Sequence, residues 1–439
     1  MTPIEVDLLI EARWVIPVEP DDTTLEHHTI AIRDGRIVDV LPTSEARTRF
    51  SAQNCVQLPE HILIPGLVNL HCHAAMTLMR GLADDLPLMR WLQEAIWPTE
   101  ARHVSPAFVR DGSLLAGAEM LRGGITTCND MYFFPEAAAE AFDRLGLRAV
   151  LGITVLEFPS QYAADADDYL SKGLAAHDRW RDHPRIRFAL APHAPYTVSD
   201  RTFERVGALA GELDLPVHIH IHETATEISD SLRDCGQRPL ARLDALGLLG
   251  PNLIGVHAVH LDHEDIERLA LHHCAVAHCP TSNMKLASGA APVATLLDRG
   301  ITVGLGSDGA ASNNRLDLFR EMHQASLLAK LSSGDASTLP AHQALRMATL
   351  LGARALGLDS TIGSLLPGKA ADICAVRVDE ADELPCFDPV SHLVYVLGRR
   401  SVSDVWVAGE QRLTSGKLLQ ITNTELFSAA RLWQNKFRQ

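Results

Sequence analysis

Residues 62–73 read Ile-Leu-Ile-Pro-Gly-Leu-Val-Asn-Leu-His-Cys-His and decide the fold more than any other stretch. An apolar run that closes on polar side chains is typical of a buried strand. Seven more such runs follow, each with a helix-favouring segment behind it, at residues 125–131, 149–156, 186–193, 217–222, 253–261, 274–279 and 301–308. Eight β-α units predict an α/β fold of the (β/α)₈ TIM-barrel type. A doubly wound sheet is the alternative, because counting units does not prove closure.

Both ends of the chain favour β-structure. Residues 7–18, 29–32 and 36–40 at one end, and 371–378 and 402–407 at the other, predict strands. Asp34-Gly35 is a type I′ hairpin signal, and Gly409-Glu410 predicts another turn. We expect one small β-sandwich built from both termini. The expected domains are residues 1–61 (first part of the sandwich), 62–361 (barrel) and 362–439 (second part, with a terminal helix over 424–437).

Composition excludes several classes of protein. The 439 residues include 39 basic and 55 acidic ones, a net charge of −16, which argues against a nucleic-acid-binding surface. No apolar run approaches the roughly 20 residues of a membrane span. The first residues lack the basic region of a signal peptide. The eight cysteines are scattered without a CxxC pair, so we expect a cytoplasmic protein with reduced thiols.

Histidines and acids gather where the predicted strands end. The residues concerned are His71, His73, His193, His220, Glu223, His257 and Asp308. The carboxyl ends of barrel strands share one face, where TIM-barrel chemistry collects. Within the run His218-Ile219-His220-Ile221-His222, alternation places the three imidazoles on one face. We interpret His218 as a core residue and His222 as a loop residue.

Imidazoles and one carboxylate at a strand mouth predict a metal site. Three histidines and an aspartate suit Zn²⁺ with room for a water, and Fe²⁺, Mn²⁺ or Ni²⁺ accept the same donors. Such an ion lowers the pKa of its water toward about 7, which is hydrolytic chemistry. Glu223, three residues after His220, is placed to act as the general acid/base. The alternative to a ligand role for Asp308 is that its side chain caps the N-terminus of a helix.

Residues 304–309, Gly-Leu-Gly-Ser-Asp-Gly, also match the GxGxxG dinucleotide fingerprint. A nucleotide-binding oxidoreductase is therefore a competing class. A lone match is a weak signal, and this interpretation leaves the histidines without a role.

Two strings carry a family resemblance, residues 65–73 (Pro-Gly-Leu-Val-Asn-Leu-His-Cys-His) and 363–372 (Gly-Ser-Leu-Leu-Pro-Gly-Lys-Ala-Ala-Asp). The sequence resembles the amidohydrolase superfamily over nearly its whole length. Within it, the resemblance is to the aminohydrolase branch of methylthioadenosine/S-adenosylhomocysteine deaminases, guanine deaminases and triazine hydrolases.

The resemblance implies a role for each strand-end residue. It makes His71, His73, His220 and Asp308 the metal ligands and Glu223 the proton shuttle. His257 would polarise the water or the intermediate, with His260 as the second choice. Binuclear relatives carry a carboxylated lysine on the fourth strand, and the run ending at His193 has no lysine, so one divalent ion is expected, Zn²⁺ first.

Residues 74–88, 91–92, 97–100, 191–197 and 279–286 are similar to the methylthioadenosine/S-adenosylhomocysteine deaminases. This implies that hydroxide generated at the metal attacks C6 of an adenosine-type nucleoside, giving the inosine-type product and ammonia. Asp308 would take a proton from the water, and Glu223 would protonate N1. Glu100 would bind the ribose and His193 the nucleoside. Without the resemblance, Glu100 is interpreted as a solvated helix residue and His193 as a strand-end core residue.

The function, the substrate pocket and the binding partners each leave alternatives open. Guanine or pterin deamination and triazine hydrolysis are the alternatives, and a non-catalytic assembly subunit is a third class. A set of apolar residues, Met76, Met79, Leu86, Leu88, Trp91 and Trp97, either lines a methylthio pocket or packs a helix. Ribose-contacting arginines stay unassigned, with Arg179, Arg181 and Arg185 as candidates. We expect a homo-oligomer, a dimer or tetramer, with no nucleic-acid or membrane partner.

Overall fold

The computed structural model describes residues 3–438. Within that range the strands are β1 (Ile4–Val15), β2 (Leu25–Arg33), β3 (Arg36–Pro42), β4 (Phe50–Pro65), β5 (Leu67–Cys72), β6 (Ile125–Tyr132), β7 (Arg148–Val155), β8 (Ile186–Pro192), β9 (Val217–Ile221), β10 (Leu253–His257), β11 (Ala275–His278), β12 (Thr302–Leu305), β13 (Ile373–Arg377), β14 (Val402–Val407), β15 (Glu410–Thr414) and β16 (Lys417–Leu418). They form two sheets of eight strands each.

Strands β5 to β12 form a parallel sheet in which each strand lies beside the next in the chain. The two edges of this sheet meet just beyond the strand ends, where the Asp308 amide donates to the His71 carbonyl at 3.0 Å. Nearly every residue of these strands is buried, as expected for parallel strands covered on both faces. The predicted (β/α)₈ barrel is confirmed, and the doubly wound alternative is wrong.

The second sheet is mixed and takes strands from both ends of the chain, in the order β16-β15-β14-β13-β4-β1-β2-β3. The predicted hairpin lies between β2 and β3, where Asp34 and Gly35 both have the positive φ of a type I′ turn, 52° and 72°. The second predicted turn is shifted by one residue. Ala408 and Gly409 form it, with φ of 50° and 76°, because Val407 pairs directly with Glu410.

Helices within residues 3–438 are α1 (Thr43–Arg49), α2 (Leu88–Trp91), α3 (Trp97–His103), α4 (Pro106–Arg122), α5 (Pro135–Leu145), α6 (Ala166–Trp180), α7 (Asp200–Leu213), α8 (Ala225–Cys235), α9 (Pro239–Ala245), α10 (His263–Leu271), α11 (Pro280–Lys285), α12 (Val293–Asp298), α13 (Leu318–Ser333), α14 (Ala341–Met347), α15 (Leu350–Ala355), α16 (Pro389–Tyr395) and α17 (Asn423–Phe437). Short 3₁₀ turns lie at Ala74–Met79, Ala381–Glu383 and Arg399–Ser401, and a π turn at Leu92–Ile96.

Local sequence explains where helices begin. Ser105 caps α4 by accepting from the Phe108 amide at 3.3 Å, and Pro106 takes the first helical position. Asp262 and Asp265 form a reciprocal capping box at the start of α10. None of the helices within residues 3–438 combines the length and apolar character needed to span a bilayer.

A buried ion pair joins the two sheets. Arg148, the first residue of β7, donates from Nε and Nη2 to the two carboxylate oxygens of Asp372 at 3.2 Å each. Asp372 precedes β13 and also accepts from the Ala408 amide at 2.7 Å. Since both charges are buried, each depends on the other as its partner, and the pair connects the barrel to the mixed sheet.

Candidate active site

The predicted site residues converge at the carboxyl end of the barrel. His71 is the second-to-last residue of β5 and His73 directly follows the strand. His220 lies on β9, and His257 is the final residue of β10. Asp308 follows β12 by three residues in a left-handed conformation, with φ of 58°. The next helix is α13, which begins at Leu318. Asp308 is therefore not a helix N-cap, and residues 304–309 do not form the strand-turn-helix of a dinucleotide site.

Four side chains point their ligand atoms at one another. Asp308 Oδ1 lies 3.3 Å from His71 Nε2 and 3.4 Å from His73 Nε2. His220 Nε2 lies 3.3 Å from His73 Nε2. The buried His71 Nε2 has no hydrogen-bond partner among residues 3–438. Convergent lone pairs with an unpartnered buried nitrogen fit a cation, and these donors suit a divalent transition ion.

The opposite nitrogen of each imidazole is held by the protein. His73 Nδ1 donates to the Met131 carbonyl at 2.6 Å, and His220 Nδ1 donates to the His193 carbonyl at 2.8 Å. His71 Nδ1 lies 3.0 Å from Nε2 of the buried His218. These contacts fix the tautomers that leave Nε2 free toward the centre. His218 is thus a core residue that orients a candidate ligand.

Burial sets the ionisation states needed for metal binding. It lowers the pKa of His71 to about 4 and holds the pKa of His220 well below its ordinary value. Burial alone would raise the pKa of Asp308, but the close contact with His71 and the nearby His73 and His257 hold it well below its usual range. Neutral imidazoles and an ionised carboxylate are the forms that bind a metal.

Serine hydroxyls fix the orientation of the Asp308 carboxylate. Ser282 and Ser312 donate to its Oδ2 at 2.6 and 2.9 Å. The Gly309 amide donates to its Oδ1 at 2.7 Å. Sequence reasoning missed both serines. Ser282 lies in the quoted string 279–286, but only the fold shows that this string reaches Asp308.

Glu223 and His257 form a buried pair beside the cluster. Glu223 Oε2 lies 3.7 Å from His257 Nε2. Burial raises the pKa of Glu223. Burial alone would lower the pKa of His257, but the nearby Glu223 and Asp308 carboxylates outweigh it, so that its pKa is raised. His260, the second choice for the role of His257, does not line the cavity over the cluster, and its Nε2 donates to the Ser288 carbonyl at 2.7 Å.

Two further residues, Asn283 and Glu227, hold this pair. Sequence reasoning assigned neither a role, although Asn283 lies in the quoted string 279–286. His257 Nδ1 donates to Asn283 Oδ1 at 2.8 Å. The Glu227 carboxylate accepts from the backbone amides of His222 and Glu223 at 2.9 and 2.8 Å. His222 itself has a positive φ of 56°, and its Nε2 accepts from the Leu240 amide. It lies after β9, as predicted for a loop residue.

A cavity of about 580 Å³ opens over the cluster. Glu100 and His193 both line it. Tyr132 donates to Glu100 Oε1 at 2.7 Å, and burial raises the Glu100 pKa to about 7. Burial likewise lowers the pKa of His193 to about 3, and its Nδ1 lies 3.1 Å from Thr197 Oγ1. The solvated-helix interpretation of Glu100 therefore does not hold.

The apolar set divides between cavity and core. Met76, Leu88, Trp91 and Trp97 line the cavity, whereas Met79 and Leu86 are absent from its wall and pack in the core. The three candidate arginines also lie off the wall. Arg185, for example, precedes β8 at the opposite end of the barrel and bonds Asp143 at 2.8 Å.

Comparison with known proteins agrees with this geometry. Residues 62–412 match the amidohydrolase family. The chain belongs to this family. It is 47% identical over 432 residues to the 5-methylthioadenosine/S-adenosylhomocysteine deaminase of Saccharophagus degradans, covering 98% of this chain and 97% of the relative. This amidohydrolase is therefore a metal-dependent hydrolase, as predicted.

Solved structures of a deaminase and a chlorohydrolase share this fold. An adenosine deaminase from Xanthomonas campestris with bound zinc superposes with a TM-score of 0.98 at 48% identity, covering 99% of each chain. Atrazine chlorohydrolase from Arthrobacter aurescens, complexed with zinc, superposes at 0.90 with 25% identity, covering 97% of this amidohydrolase and 99% of that chain. The scaffold thus serves more than one leaving group.

Proposed function

We propose that this amidohydrolase deaminates an adenosine-type nucleoside, 5′-methylthioadenosine and/or S-adenosylhomocysteine, to the inosine-type product and ammonia. The observation that carries the proposal is the cluster of Asp308, His71, His73 and His220 beside the Glu223–His257 pair, at the base of a cavity that also presents Glu100. Full-length relatives named as such deaminases support the substrate class.

The four-residue cluster would hold one divalent ion, with Zn²⁺ as the first candidate and Fe²⁺, Mn²⁺ or Ni²⁺ accepting the same donors. Such an ion supplies a hydroxide nucleophile near neutral pH by lowering the pKa of a bound water. The zinc in the Xanthomonas structure supports the choice.

The chain's own residues move the protons. Asp308 accepts a proton as water adds to C6, and Glu223 delivers one to N1, which lets the ring take up the electron pair. The raised pKa of Glu223 favours a group that can hold and release that proton. His257 stabilises negative charge on the attacking oxygen, with its tautomer set by Asn283. Asp308 then passes its proton to the C6 amine, the C6–N bond breaks to release ammonia, and Glu223 regains a proton from the C6 hydroxyl as that oxygen becomes the product carbonyl.

Glu100 would bind the ribose. A carboxylate accepts two hydrogen bonds side by side, which suits a vicinal diol. His193, on the cavity wall beside His220, would contact the nucleoside, as would Glu223 and Asp308 during the reaction.

An ammonia-release assay on the purified chain tests the proposal. The substrates are methylthioadenosine, S-adenosylhomocysteine, adenosine, guanine and isoxanthopterin, and a chlorotriazine is followed by chloride release. We expect turnover of adenosine-type nucleosides. Turnover of guanine, the pterin or the triazine with inert nucleosides would contradict the proposal and favour the other members of the branch.

A further inference from the structure

Two segments supply most of the cavity wall away from the metal-ligand cluster. Residues 88–104 contribute Leu88, Trp91, Leu92, Ile96 and Trp97, and residues 156–161 contribute Leu156, Phe158 and Pro159. The rings of Trp97 and Phe158 meet edge to face with centroids 6.2 Å apart. This part of the wall, which we call the apolar wall, offers hydrocarbon and aromatic surface to a ligand.

The part of the cavity wall formed by residues 3–438 lacks the permanently charged cationic side chains. Among residues 3–438, those that line the cavity include neither lysine nor arginine. They do include three acids, Glu100, Glu223 and Asp308. A ligand carboxylate that reached the apolar wall would therefore find no lysine or arginine to pair with, and His257 already lies against Glu223 at 3.7 Å.

The polar side chains that residues 156–161 contribute to the wall already make bonds within the protein. Gln161 Nε2 donates to the Ala101 carbonyl at 2.9 Å. Ser160 Oγ accepts from the amides of Tyr162 and Ala163 at 3.0 and 3.4 Å. Both side chains are uncharged, so the apolar wall offers no charged group to pair with an amino-acid carboxylate or ammonium.

We propose that this enzyme is specific for nucleosides with a small or apolar 5′ substituent and discriminates against the zwitterionic homocysteine tail. The inference rests on the proposed function. Methylthioadenosine buries its methylthio group on the apolar wall, which is favourable. The tail of S-adenosylhomocysteine carries a carboxylate and an ammonium, and desolvating charges without partners is costly. Glu100, the acid that residues 88–104 contribute to the cavity wall, would be occupied by the ribose.

Paired substrates test the inference. The assay compares kcat/KM for methylthioadenosine, S-adenosylhomocysteine and 5′-(n-butylthio)adenosine, an uncharged thioether of similar tail length. We expect S-adenosylhomocysteine to fall about 100-fold below methylthioadenosine, and the butylthio compound to stay within about tenfold of it.

A charge-gain variant tests the position of the subsite. Gln161→Arg adds a cation at the edge of the apolar wall, and Gln161→Leu removes the same hydrogen bond to Ala101 without adding charge. We expect the ratio of kcat/KM for S-adenosylhomocysteine over methylthioadenosine to rise at least tenfold in Gln161→Arg relative to Gln161→Leu.

Three results would overturn the inference while leaving the proposed function intact. The first is S-adenosylhomocysteine within tenfold of methylthioadenosine. The second is a butylthio compound as poor as S-adenosylhomocysteine, since length rather than charge would then decide. The third is an unchanged ratio in Gln161→Arg. If no adenosine-type nucleoside releases ammonia, the proposed function fails and the inference fails with it.

Discussion

Glu223→Gln is expected to abolish most turnover without loss of metal. Glutamine is nearly isosteric with glutamate but cannot shuttle a proton. Glu223 lies against His257 at 3.7 Å, outside the Asp308–His71–His73–His220 cluster, so its replacement removes no proposed ligand. Its backbone amide stays bonded to Glu227 at 2.8 Å, so the local fold is retained. Removing a positioned proton donor costs about 10²–10⁴ in rate, or about 2.7–5.4 kcal/mol of activation free energy.

Steady-state kinetics with methylthioadenosine and elemental analysis of the same preparation check this prediction. Glu223→Asp keeps an acid on a shorter side chain and should recover part of kcat. Glu264→Gln makes the same chemical change on the exposed face of α10 and should leave kcat unchanged. Loss of metal from Glu223→Gln, or a kcat within tenfold of wild type, would refute the assignment of Glu223 as the proton shuttle.

Three further predictions follow from the structure. Glu100 has a pKa of about 7, so the KM for nucleosides should rise as the pH falls through 7 and its carboxylate gains a proton, whereas the KM for free adenine should not; Glu100→Gln should remove this difference. Asp372→Asn leaves the buried Arg148 without its charged partner and should lower the free energy of unfolding by about 3–5 kcal/mol in urea titration. The control, Glu94→Gln, breaks the exposed ion pair with Arg90 and should cost less than about 1 kcal/mol. Asn283→Leu removes the acceptor of His257 Nδ1, worth about 1.4 kcal/mol, and should lower kcat about tenfold with metal content unchanged; equal kinetics would exclude a positioning role.

Strand ends were predictable because their chemistry is local. An apolar run that stops at a histidine or an acid predicts both a strand and the end of that strand where function lies. Each of the eight barrel strands overlaps one of the predicted runs. The first predicted run, residues 62–73, is divided between two strands of different sheets. Residues 62–65 belong to β4 in the mixed sheet, and Gly66 separates them from β5 in the barrel. A Cβ on Gly66 would lie 2.1 Å from Thr126 Oγ1, so this position needs glycine.

Contacts between distant segments were not predictable. Nothing local to Ser282, Asn283 or Glu227 shows that their side chains hold Asp308, His257 and the Glu223 amide, because these partners meet only after the barrel closes. The proposed ribose contact, Glu100, came from resemblance alone, since its own helix is polar. The boundaries of the domains at residues 61 and 362, and the dimer or tetramer, stay predictions.

Metal content of ligand variants tests the central claim most directly. Two histidine-rich groupings converge in the structure, His71–His73–Asp308 and His71–His220–His257, so His257 is the matched control for His73. Inductively coupled plasma mass spectrometry on purified chain should find about one equivalent of a divalent transition ion in the wild type and in His257→Asn, and far less in His73→Asn and Asp308→Asn. A wild-type chain without such an ion, or one that loses it in His257→Asn but keeps it in His73→Asn, would contradict the proposed centre.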